Sequence, residues 1–122
     1  MMGPWNITET TEYSEWFVTL SGKQQRSVFE RLELLKMHGP GLTRPYADTL
    51  KGSRHTNLKE LRISSEGTLR ILFGFDPERK AVLLLGGDKS ERSMWNDWYR
   101  VAIKRADDLF EQHINETRRR NK

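Results

Sequence analysis

Apolar residues recur along this chain with two different periods, and the changes of period mark out its elements. Trp5-Asn6-Ile7-Thr8 alternates apolar and polar and predicts a short first strand. Tyr13, Trp16, Phe17 and Leu20 then fall at helical spacing, behind Thr10 or Thr11 as cap and with Glu12 and Glu15 set against the helix dipole. Ser21-Gly22-Lys23-Gln24 has the form of a capping box and predicts a second helix to about Met37. Its core face would be Val28, Leu32 and Leu35, with Phe29 beside them. His38-Gly39-Pro40 ends it, His38 being read as a cap residue. From Gly39 to Asn57 apolar residues are few, and the stretch reads as one long connection.

Two apolar runs follow, Leu58-Lys59-Glu60-Leu61-Arg62-Ile63 and Leu69 to Phe75, around the turn formers Ser64-Ser65-Glu66-Gly67. They predict a β-hairpin. Because strand side chains alternate, Leu61 and Ile63 share a face with Leu69, Ile71, Phe73 and Phe75, while Arg62 and Arg70 point together to the other side. A three-residue loop would set the two arginines directly opposite each other. Like charges so placed are destabilising unless something compensates them. That something is either an internal acid such as Glu60 or an anion from outside.

Ala81-Val82-Leu83-Leu84-Leu85 is apolar on both faces and predicts an interior strand. It runs into Gly86-Gly87-Asp88-Lys89, where the two glycines are expected to turn the chain sharply out of the sheet. The glycine and Lys-Ser/Thr spacing of a Walker loop is absent, which argues against nucleotide hydrolysis. Lys89 would emerge at the strand end, able to lean over the face of Arg62 and Arg70. Ser93 can cap a last helix from Met94 to about Glu116, with Trp95, Tyr99, Ala102, Ile103, Ala106, Leu109, Phe110 and Ile114 on its apolar side. Residues 117–122 form a basic tail expected to fray. The order β-α-α-β-β-β-α, with helices on the sheet, is an α+β domain.

At 122 residues the chain is the size of one domain with a real core. It contains no Cys, which rules out disulfides and thiolate metal sites and suits a reducing cytoplasm. It shows neither a secretory leader nor a run of about 20 apolar residues. The net charge of +4 is modest, but between Lys51 and Arg70 five basic residues face two acids, so the hairpin is locally positive. The three histidines have no metal-ligand spacing. His113 is placed to favour the last helix's C-terminal dipole. His55, among Arg54, Thr56 and Lys59, reads either as a loop residue or as a catalytic one. Trp16, Trp95 and Trp98 read as core anchors before base-stacking platforms, and no nucleophile elbow is present.

Trp5-x-Ile7, Trp16-Phe17, Gly39-Pro40, Arg44-Pro45, Asp48-x-Leu50-Lys51-Gly52-Ser53, His55, Leu58-Lys59-Glu60-Leu61-Arg62, Arg70-x-Leu72-Phe73-x-Phe75-Asp76-Pro77 and Leu84-x-Gly86-Gly87-Asp88-Lys89 resemble the phage-derived, HigB-like branch of the RelE toxin superfamily. The resemblance covers about Trp5 to Ile114. It implies a RelE-like microbial RNase fold, an antiparallel sheet with helices on one side, as a single domain over residues 1–122. It also implies the toxin of a type II toxin–antitoxin pair, an mRNA endoribonuclease acting in the ribosomal A site by attack of the ribose 2′-OH, without metal or cofactor. The partner would be a HigA-like antitoxin with a helix-turn-helix domain, and no membrane would be involved. The matching catalytic positions are Lys59, Arg62, Arg70 and Lys89, with Lys51, Arg54, His55 and Arg92 as candidates for RNA contact. Lys59 or Lys89, crowded by the arginines, would serve as base or acid. A catalytically silent nucleic-acid-binding or regulatory protein of the same fold is the alternative.

Overall fold

Thr10 and Ser21 cap the first two helices as the sequence predicts, whereas Ser93 does not cap the last, which begins at Arg92. In the computed structural model, which describes residues 4–55, 58–64, 68–89 and 92–121 (side chains of 92–96 excepted), Thr10 caps α1 (Thr11–Phe17). Its Oγ1 accepts from the Tyr13 N–H at 3.0 Å and donates to the Leu84 carbonyl at 2.7 Å, which pins the helix to the sheet. Ser21 and Gln24 close a reciprocal capping box on α2 (Gly22–His38). The C-cap position falls to Gly39 and not to His38: φ there is +53°, and a Cβ would sit 2.3 Å from the Trp5 indole.

One five-stranded sheet holds β1 (Asn6–Glu9), β2 (Ala47–Thr49), β3 (Leu58–Ile63), β4 (Leu69–Phe75) and β5 (Lys80–Asp88) in the order β1-β5-β4-β3-β2. All pairs are antiparallel except β1 with β5. The strand β2 lies inside the stretch read as a long connection. Only three residues long, it carries too short a pattern to register as a strand, and it exists because β3 offers it an edge. Helix α3 (Arg92–Arg120) completes the chain.

Helices cover both faces of the sheet, where the resemblance implied one. On the first, Tyr13, Val28, Leu32 and Leu35 pack over Leu61, Ile63, Leu69, Ile71, Phe73 and Leu83. On the second, α3 lays Ala102, Ala106, Leu109 and Phe110 over Leu58, Leu72, Val82 and Leu84. This is why β5 is apolar on both sides. Phe29, expected beside the α2 core face, is 57% exposed and meets only the rim through Phe17. The tail does not fray at Thr117: α3 runs on to Arg120 and Thr117 is buried.

Gly86 and Gly87 do not turn the chain out of the sheet; both lie within β5. A Cβ on Gly86 would meet the Trp16 ring at 2.2 Å, and one on Gly87 the Trp98 ring at 2.4 Å. An indole from each helical layer therefore rests on bare backbone. Just before them the ladder slips, with Phe73 opposite Leu83 but Leu72 opposite Leu85, so β5 carries one extra residue. The bulge sets Gly87 opposite Arg70. Without it, Gly86 would take that place and Asp88 in place of Lys89 would fall on the face of Arg70.

Candidate nucleic-acid interface

Arg62 stands directly opposite Arg70, as the hairpin pattern predicts. The loop residues 65–67 lie outside the described residues. Both guanidiniums rise from the α3 side of the sheet, next to the first turns of that helix. Their surroundings differ. Arg62 Nε donates to Glu60 Oε2 at 3.0 Å, two residues back on the same strand face, and its other nitrogen reaches Asp48 Oδ2 of β2 at 3.3 Å. Asp48 is shared with Arg44 at 2.8 Å, and the hydrogen bonds from Arg44 and then from the Thr49 N–H hold its carboxyl below the usual range.

Arg70 is compensated less directly, by the field of Glu60 and not by a bonded carboxylate. Among the described residues no carboxylate lies within ion-pair distance of it, and it donates instead to the Leu69 carbonyl at 2.9 Å. Burial lowers its pKa, and the neighbouring Arg62 pushes the same way against the pull of Glu60. Among the described residues Arg44 and Arg62 thus take Asp48 and Glu60 between them, and the guanidinium left without an ion pair is Arg70.

Glu60 itself is buried, with one oxygen on Arg62 and the other accepting from the Tyr99 hydroxyl of α3. Burial, then this bond and the carboxylate's charge, push the Tyr99 pKa well up, so the phenol stays protonated. Trp98 beside it lies on Gly87, opposite Arg70. Lys89 follows β5, its N–H bonded to the Thr68 carbonyl at 2.7 Å. Two positions beyond Gly87, it is carried by the alternation to the face of Arg70. Its side chain is exposed and has no ion pair among the described residues.

The other expected site residues are placed elsewhere. Lys59 is opposite Phe73, so it projects from the reverse face of the sheet and is not crowded by the arginines. It lines a groove with Pro40, Phe75 and, from the α3 layer, Phe110. Arg54 is held by Asp108 at 2.9 Å and Glu111 at 3.3 Å on the middle of α3. The same acids raise its pKa, Asp108 foremost. His55 packs its ring edge-on to Phe110, with Nε2 buried and without a partner among the described residues. Lys51 is exposed in the same loop, toward the far end of β3 from Arg62. The Arg92 side chain lies outside the described residues, as does that of Trp95. His113 does not serve the helix dipole: its Nε2 pairs with buried Asp76 at 2.7 Å, tying α3 to the β4–β5 turn.

Glu60 was legible as a partner for Arg62 from its spacing of two. Asp48, Tyr99 and Trp98 were not, because they arrive from a strand and a helix remote in sequence. No group of His, Asp or Glu able to hold a metal occurs among the described residues.

The fold is that of the RelE toxins. The isolated Escherichia coli RelE toxin superposes with a TM-score of 0.59 at 11% identity, over 76% of this chain and 93% of RelE. A chain of the Mycobacterium tuberculosis toxin–antitoxin complex RelBE2 superposes with a TM-score of 0.54 at 21% identity, over 70% of this chain and 98% of its own. Within that fold class, residues 15–111 match the family described as phage-derived protein Gp49-like, and the chain belongs to that family. Two relatives from Mycobacterium tuberculosis are named as the candidate toxins HigB2 and HigB3. HigB2 is 45% identical over 103 residues, 83% of this chain, which spans only 50% of the length of HigB2. HigB3 is 43% identical over 103 residues, 84% of this chain and 88% of its own length.

Proposed function

We propose that this chain is the toxin of a type II toxin–antitoxin pair, a metal-independent endoribonuclease that cuts mRNA on translating ribosomes in the cytoplasm and so stops growth. The observation that carries this reading is Arg70, a half-buried guanidinium opposite a second one and without a bonded carboxylate among the described residues. A fold gains nothing from that arrangement by itself. A phosphodiester supplies the missing anion.

In the proposed reaction the ribose 2′-OH attacks the adjacent phosphorus in line, and the bond to the 5′-oxygen breaks, leaving a 2′,3′-cyclic phosphate. Negative charge grows on the non-bridging oxygens as the phosphorane forms. Arg70 forks onto those oxygens, and Lys89 approaches from the strand end. Fixed cations aimed there stabilise the transition state more than the ground state. Arg62, restrained by Glu60 and Asp48, flanks the phosphate as an oriented donor. Lys51 and Arg92 contact the RNA away from the scissile bond. A HigA-like antitoxin with a helix-turn-helix domain neutralises the toxin. The complexes among the solved structures support an antitoxin as partner.

The test is induction in a bacterial host, with cleavage of mRNA read in a translation extract. The parent should arrest growth and cut the mRNA of the extract. Arg70→Ala, folded by its melting curve, should lose on the order of 10²–10³ in cleavage rate. Equal toxicity from Arg70→Ala overturns the reading and leaves the catalytically silent binder in its place.

A further inference from the structure

Glu60 is the one buried carboxylate in the candidate interface among the described residues, and both of its oxygens are engaged by groups on different elements. Oε2 takes Arg62 Nε at 3.0 Å within β3, and Oε1 takes the Tyr99 hydroxyl from α3. An acid beside a phosphate-binding arginine pair repels the very substrate the pair attracts. A surface built only for affinity would place an amide or a hydroxyl there. Stability offers a weak reason for it, since a half-buried ion pair is seldom worth more than the apolar residues that could replace it.

We propose that Glu60 is the positioning residue of this site, spending RNA affinity to hold the Arg62 guanidinium and the Tyr99 phenol in one fixed relation to Arg70. This rests on the ribonuclease reading above. Arg62 without Glu60 has Asp48 as its remaining anchor, and Asp48 is already shared with Arg44, so the fork would swing toward β2 and away from Arg70. Tyr99 without Glu60 loses the acceptor that orients its hydroxyl. Its neighbour Trp98 rests on Gly87, opposite Arg70, so a shift at Tyr99 also loosens the wall of the site along β5. The buried carboxylate therefore sets the geometry of three elements, β3, β5 and α3, around one cation.

The signature is a divergence between binding and turnover. Glu60→Gln keeps the volume and removes the charge. A single-stranded RNA oligonucleotide carrying one 2′-deoxy substitution at the cleavage position, hence uncleavable, should bind about 2–5-fold more tightly to Glu60→Gln than to the parent. Cleavage of the all-ribose oligonucleotide in the translation extract should fall about 10²-fold in kcat, as expected when a catalytic donor is displaced by an ångström or so. Tyr99→Phe should reproduce part of the loss in kcat without the gain in affinity. Phenolate absorbance, with Tyr99→Phe as the blank, should show Tyr99 ionising at lower pH in Glu60→Gln.

Parallel falls in binding and cleavage, or neither changing, would overturn the proposal and leave Glu60 a structural ion pair. So would an unmoved Tyr99 titration. If the parent cuts no RNA under any condition, the ribonuclease reading fails. The positioning geometry is then judged on the tyrosine titration and the oligonucleotide affinity alone. Glu60→Asp, which restores the charge but shortens the reach, should recover parental affinity without recovering kcat.

Discussion

Replacing Arg70 with Met should make this protein more stable and inactive at once, whereas the same change at Arg62 should make it less stable. The two arginines face each other across one strand pair, so strand propensity and position in the sheet are nearly matched between them. Their partners are not. Removing Arg70 relieves a like-charge cross-strand contact worth about 0.2–1 kcal/mol and takes out a desolvated cation whose hydrogen bond among the described residues is to a backbone carbonyl, at the loss of the longer-range pull of Glu60. Methionine keeps most of the apolar stem's packing. The net gain should be about 0.5–1.5 kcal/mol, or roughly 2–6 °C in Tm for a chain of this size.

Arg62→Met instead strands Glu60, a buried carboxylate, and should cost about 1–3 kcal/mol. Thermal melts followed by circular dichroism at low and moderate salt read both effects. The gain from Arg70→Met should shrink as salt rises, because the repulsion it removes is screened. A Tm for Arg70→Met below the parent's would show that the fold compensates this guanidinium after all, and the case for an external anion would go with it.

Other consequences follow from the same contacts. Gly86→Ala places a methyl into the Trp16 ring and should cost about 1–3 kcal/mol, seen as a lower Tm and a changed near-ultraviolet tryptophan signal. Phe73→Ala empties the centre of the α1/α2 face and should cost roughly 3–5 kcal/mol, enough to unfold the chain and not merely inactivate it; a parental melting curve would contradict this. Tyr13 and Tyr99 both have raised pKa values, chiefly from burial, so above about pH 10 the unfolded chain has released phenolic protons that the native state still holds. Stability should therefore fall as pH rises from 10, and Tyr99→Phe should flatten that fall in alkaline melts. RNA binding should weaken steeply between low and moderate salt, since each phosphate contact releases counterions; binding that ignores salt would remove the phosphate from the picture.

Much of the structure could be read directly from residue order. The caps at Thr10 and Ser21, the core faces of α1, α2 and α3, and the opposition of Arg62 to Arg70 depend on the periods of helix and strand. Those periods are local properties of the backbone, so a stretch of a few residues suffices to display them. Spacing on one strand also made Glu60 available as a partner for Arg62. The opposite placement of Lys59 follows from the same alternation, whatever motif it stands in.

The charge balance at the site was decided by tertiary structure alone. Asp48 reaches Arg62 because a three-residue strand forms only against an existing edge, and Tyr99 reaches Glu60 because α3 crosses the face the arginines occupy. Gly86 and Gly87, which look like a turn in the sequence, serve as resting places for two indoles from opposite layers. The extra residue at Leu84 determines that a lysine and not an aspartate follows Arg70's face at the end of β5. A bulge of this kind has no local signature, because it arises from fitting β5 to β4 on one side and to β1 and α1 on the other. Residue order thus determined which groups could meet, and packing between layers determined which of the two opposed arginines was left with charge to offer.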